Sequence, residues 1–76
     1  MTYREMLRYL RREKGGQRVP VQICYVTSQG AMRTIEGAQL LAVDAQGGTG
    51  QFKVPGGVRR LILYTVLAVD GEEVNL

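Results

Sequence analysis

Seventy-six residues with 45% apolar and 22% charged side chains make one small domain of ordinary globular composition, which excludes a disordered chain. The absence of histidine and the single cysteine, Cys24, exclude an imidazole base, a Cys/His zinc site and an intrachain disulfide. Neither an enzyme nor a bound cofactor is therefore expected.

The net charge of +3 is small, but it is unevenly placed, with +4 over residues 1–18 and −3 over the last seven. No apolar stretch is long enough for a membrane span. Arg4, Glu5 and Arg8 interrupt any apolar segment of a signal peptide, so no membrane partner is expected. With a lone thiol, a reducing, cytoplasmic setting is expected.

The chain opens on a predicted helix, residues 2–14. Thr2 and Glu5 have capping-box spacing, and Tyr3, Met6, Leu7 and Leu10 form one apolar stripe. Gly15-Gly16 is expected to stop it. After Pro20 the period falls to two, and Val19, Val21, Ile23 and Tyr25 define a strand over 19–28. Ser28-Gln29-Gly30 turns the chain into a second strand, 31–44, in which Gly37 marks a bulge or bend. The Gly-rich loop at 46–50 leads to a short strand, 51–54, that ends at Pro55-Gly56-Gly57. Residues 58–69 are the most apolar segment and predict a central strand with both Leu61 and Ile62 buried. Asp70-Gly71 is a strong hairpin signal into a final strand, 72–76, with Val74 and Leu76 facing one way.

Two stretches echo each other at an offset of 26 residues. GAMRTIEGAQLLAVD (30–44) aligns with GGVRRLILYTVLAVD (56–70), and the match includes the whole Leu-Ala-Val-Asp run. Two copies are too few to separate convergence from pseudo-symmetry.

The candidate site is basic. On a helical wheel Arg4, Arg8, Arg11 and Arg12 group along one flank of the apolar stripe, while Glu5, Tyr9 and Glu13 take the other. Guanidiniums aligned this way suit phosphates, with Tyr9 a candidate stacking ring and Arg59 and Arg60 extending the surface if the helix packs beside their strand. The competing reading is a solvated face, with Arg12 paired to a carboxylate. Gly47-Gly48-Thr49-Gly50 has no following helix and no Lys-Ser/Thr, so it reads as a loop rather than a phosphate cradle. Cys24, mid-strand beside Gln22 and Val26, reads as a structural thiol.

Gly30, Gly37, Leu40 and Asp44, followed by Gly71-Glu72-Glu73-Val74, give an order that resembles the Sm-like and SH3-like small β-barrels. The resemblance implies a helix and five strands in a small closed or nearly closed sheet. Sm-like proteins bind RNA through an Asp/Asn pair after the second strand and an Arg-Gly pair before the last. Here Asp44 is followed by Ala45-Gln46-Gly47 and Gly71 is preceded by Asp70, so no RNA site is carried over.

The expected fold is α+β and mainly β: an N-terminal helix followed by about five antiparallel strands in a strongly bent sheet or small barrel. The expected function is a non-enzymatic binding module, with RNA or DNA held by the arginines. The alternative is an assembly protein that acts by self-association or by docking a protein partner.

Overall fold

The computed structural model describes residues 1–44 and 46–75. Its helix, α1 (Tyr3–Leu10), begins as the sequence predicts. Thr2 Oγ1 accepts the Glu5 N–H at 3.1 Å, and Glu5 Oε1 accepts the Thr2 N–H at 2.8 Å. The helix ends at Leu10 rather than residue 14, because Arg11, Arg12, Glu13 and Lys14 offer no apolar side chain to bury. Gly15-Gly16 is therefore not a helix stop. It is the turn of a small antiparallel ribbon, β1 (Glu13–Lys14) and β2 (Gln17–Arg18). Both glycines have positive φ, +62° and +80°, as a two-residue hairpin loop requires.

Six further strands form one antiparallel sheet: β3 (Val21–Val26), β4 (Met32–Asp44), β5 (Thr49–Val54), β6 (Gly57–Ile62), β7 (Val66–Val69) and β8 (Glu72–Glu73). Their order is β6-β5-β4-β3-β7-β8, so the sheet has two ends and is not closed. Of the two expected forms, the bent open sheet is the one realised. β6 nevertheless curls towards β3, three strands away in the sheet, since Arg59 Nη1 donates to the Tyr25 hydroxyl at 2.8 Å.

Three bulges produce the bend, each adding one unpaired residue to one strand. The first, at Glu36-Gly37, lies where Val21 pairs Ala38 and Ile23 pairs Ile35. It confirms the expected kink at Gly37, whose φ is +71°. The second sets Leu41 outside the ladder between Leu40↔Phe52 and Ala42↔Gln51. The third sets Leu67 outside the ladder between Val66↔Tyr25 and Ala68↔Cys24. Leu41 and Leu67 are thereby left 50% and 37% exposed.

The sequence echo thus has a structural counterpart. Both Leu-Ala-Val-Asp runs start on a bulged leucine, reset the inward alternation, and end on an aspartate whose carboxylate accepts backbone N–H groups. Asp44 Oδ1 takes those of Gln46 and Gly47, both at 3.1 Å, and Asp70 Oδ1 takes that of Gln22 at 2.8 Å.

The expected strand 58–69 is a correction. A 3-10 turn, Leu63–Thr65, divides it into β6 at the sheet edge and β7 inside the sheet. Leu61 is buried, but Ile62 is 56% exposed. Both faces of this segment are apolar because its direction changes at Leu63, not because one straight strand is covered on two sides.

The core gathers Met6 and Leu10 from the helix with Ile23, Phe52, Leu63, Val66 and Val69, all fully buried. Each such side chain contributes roughly 1.5–3 kcal/mol through removal from water. The helix lies over the β7–β8 end. Residues 1–2 run beside the last strand, with Thr2 bridged in parallel to Asn75 and the Asn75 N–H donating to the Met1 carbonyl at 2.7 Å. The terminal ammonium donates to the Glu73 carbonyl at 2.6 Å, and Val74 is buried although the final strand spans only Glu72–Glu73 rather than 72–76. The expectation for Leu76 lies outside the described residues.

Candidate functional site

On α1 the arginines stay on the solvent side, but not all four keep to one flank, since Arg8 and Arg12 line a depression with Glu5 and Tyr9. Met6 and Leu10 are buried, Tyr3, Leu7 and Tyr9 are half-buried, and Arg4, Arg8, Arg11 and Arg12 are exposed. Arg4, Arg8 and Arg11 follow one another at helical spacing, spanning about 10 Å at 1.5 Å per residue. Among the described residues the ion pairs are Arg18 with Glu13 at 3.4 Å and the terminal ammonium with Glu72 at 3.5 Å. No carboxylate among the described residues therefore lies within ion-pair distance of Arg4, Arg8, Arg11 or Arg12.

Arg12 leaves the stripe. Beyond the helix end its guanidinium stacks on the Tyr9 ring, 3.5 Å from the centroid, and its Nε donates to the Tyr9 carbonyl at 2.9 Å. Tyr9 is consequently not a free stacking ring. One face carries Arg12, and its hydroxyl donates to Asp70 Oδ2. That hydrogen bond, with burial and the Asp70 charge behind it, holds the Tyr9 hydroxyl pKa above the usual value of 10.0. The shallow depression of about 350 Å³ on this side is lined by Met1, Glu5, Arg8, Tyr9, Arg12 and Glu72. Its two carboxylates make it a poor seat for an anion.

Arg59 and Arg60 occupy a different element, the edge strand β6, and project to opposite faces. Arg59, paired with Phe52, lies on the concave side and reaches the Tyr25 hydroxyl; Arg60 pairs with Gln51 and faces outward. The helix is tied to the 3-10 turn and to the β7–β8 hairpin, so the condition for a continuous surface, packing of the helix beside this strand, is not what holds it in place.

The residue that sequence reasoning missed is Tyr64. Its ring stacks on Tyr3 with centroids 4.8 Å apart and planes 14° from parallel, yet Tyr64 remains 58% exposed. Burial, then the neighbouring Tyr64 hydroxyl, raise the Tyr3 pKa, while the Arg11 charge lowers it. Its sequence position falls within the expected strand 58–69, and the 3-10 turn turns it outward.

The Gly-rich loop binds its own chain, since the Asp44 carboxylate takes the N–H groups of Gln46 and Gly47 that a phosphate would need. Cys24 is a half-buried free thiol. Among the described residues no group of His, Cys, Asp and Glu is placed to hold a metal ion, and no helix is long and apolar enough to cross a membrane. Compared with the known protein families, the curated proteins and the solved structures, the chain matches none.

Proposed function

We propose that this domain is a non-enzymatic binding module that holds nucleic acid, RNA or DNA, by its phosphate backbone through Arg4, Arg8 and Arg11. The observation that supports this reading is that Arg4, Arg8 and Arg11 recur at helical spacing, are exposed, and have no carboxylate within ion-pair distance among the described residues. Arginines without a carboxylate partner are free to neutralise phosphates, which releases cations condensed on the nucleic acid. Nothing in the arrangement reads base edges, so binding is weak and blind to sequence. Arg12 is engaged with Tyr9 and is not part of the set. The free thiol of Cys24 suits a reducing, cytoplasmic setting.

The test is fluorescence anisotropy with a labelled oligonucleotide across a salt series. Each phosphate contact steepens the slope of log affinity against log salt by about 0.7–0.9. Replacing Arg4, Arg8 and Arg11 together by Gln is expected to flatten that slope by about 2–3, with helix content kept because Gln is a good helix former. Absence of binding at low salt, or an unchanged slope in the triple variant, refutes the reading.

The second reading is self-association, and the open edge of β6 favours it. Among the described residues β6 pairs β5 alone, and Val58 and Ile62 are exposed along it. A second copy pairing edge to edge there would satisfy the free backbone groups of both strands. Arg59 and Arg60 oppose this at low salt, because two copies would face one another with like charges.

A further inference from the structure

The arginines share their helix with Tyr3, on which the exposed Tyr64 ring stacks. Tyr3, Leu7 and Arg11 lie in one row of the helix, at i, i+4 and i+8, and Arg4 and Arg8 form the next row outward. Tyr3 holds one face of the Tyr64 ring and leaves much of the rest to solvent.

Tyr64 is exposed yet fixed. It sits on a 3-10 turn between fully buried Leu63 and buried Val66. The Leu63 N–H donates to the Gly48 carbonyl at 2.8 Å, and Thr65 Oγ1 donates to the Ile62 carbonyl at 2.6 Å. Gly48 packs beside the ring, where a Cβ would meet Tyr64 Cε2 at 3.4 Å. An aromatic ring held out in water on a rigid turn loses little freedom when a second flat ring stacks on it.

We infer that the Tyr3–Tyr64 stack and the arginine flank form one site for single-stranded nucleic acid, in which Tyr64 takes an unpaired base and Arg4, Arg8 and Arg11 take neighbouring phosphates. This rests on the function proposed above and sharpens it from nucleic acid in general to the single-stranded form. A duplex keeps its base faces stacked inside and offers the flank only phosphates. A single strand can splay a base onto a ring beside the same cations. Stacking on a ring is tolerant of base identity, so the site selects strandedness rather than sequence.

The experiment compares wild type, Tyr64→Leu, Tyr64→Trp and the Arg4/Arg8/Arg11→Gln variant by anisotropy. The probes are labelled oligothymidylate and oligouridylate of about 15 nucleotides, long enough for one site, and a duplex of equal length. Circular dichroism checks that each variant is folded. Wild type is expected to bind both single strands more tightly than the duplex, by about 5-fold or more. Tyr64→Leu is expected to lose about 5-fold to 100-fold for the single strands, with duplex affinity and salt slope unchanged. Tyr64→Trp keeps the affinity, and its indole emission, unique in a chain without tryptophan, is quenched on binding. Equal affinity for single strand and duplex, or single-strand binding unmoved by Tyr64→Leu, overturns the stacking site while leaving the arginine reading intact. No binding of any probe by wild type at low salt overturns both.

Discussion

Asp70 joins three parts of the molecule through its side chain and its backbone. Its Oδ1 accepts the Gln22 N–H at 2.8 Å, its Oδ2 accepts the Tyr9 hydroxyl, and its backbone, at φ +50°, opens the β7–β8 hairpin. Asp tolerates that left-handed conformation better than most residues. The Tyr9 hydroxyl donates to the carboxylate, so removing its proton would place two negative charges side by side. Its folded pKa is accordingly raised, first by that hydrogen bond, then by burial and by the Asp70 charge. Stability from a raised pKa is fully present below the unfolded value of 10.0 and is lost as pH rises through the folded one. Urea unfolding midpoints of wild type are therefore expected to fall above pH about 10 relative to those of Tyr9→Phe, which has no proton to lose. The variant should be the less stable of the two at neutral pH, and parallel curves through the alkaline range would show that Tyr9 is not linked to Asp70.

At the scale of elements, bulges rather than loops shape this sheet. Gly37 shows the cost most cleanly: its φ is +71°, and a Cβ there would meet nothing closer than Pro55 Cγ at 3.9 Å. Gly37→Ala should thus lose stability through the backbone alone, by about 1–2 kcal/mol, the penalty of an L-residue in the left-handed region. Gly37→Asn should recover part of it, because Asn enters that region more readily. Urea denaturation with an unchanged m-value checks both, and equal stability of all three proteins would mean that the bulge relocates. Gly37 was legible in the sequence because only a glycine needs a reason to sit inside a long strand. The bulges at Leu41 and Leu67 were not legible, since leucine carries no mark of backbone conformation.

Across the whole molecule, opposite ends of the open sheet are treated differently. The β8 end is covered by residues 1–2, through the Thr2–Asn75 bridge and the terminal ammonium. The β6 end has no further strand paired to it among the described residues, and it carries Arg59 and Arg60 beside exposed Val58 and Ile62. Charged side chains on an edge discourage pairing between copies, and salt weakens that discouragement. If β6 pairs with its copy, the dimer fraction measured by sedimentation should rise with salt and fall when Ile62 is replaced by Lys. Nucleic-acid binding should weaken over the same salt range, so the two readings move in opposite directions. A monomer at every salt concentration removes the assembly reading.

The local chemistry of single residues sufficed for the capped helix start at Thr2 and Glu5, the turns at Gly30, Pro55-Gly56 and Asp70-Gly71, the bend at Gly37, and the exposed arginines of the helix. Each depends on contacts within a few positions along the chain, which spacing records directly. Tertiary structure alone decided where the helix ends, because Arg11 to Lys14 pair as readily in a ribbon as in a helix and only burial could have kept them helical. It alone divided residues 58–69 at Leu63. Leu61, Ile62, Leu63 and Tyr64 are all apolar enough for a core, and which of them is covered depends on strands distant in sequence. That choice buried Leu63, left Ile62 in water, and set Tyr64 against Tyr3, 61 positions away.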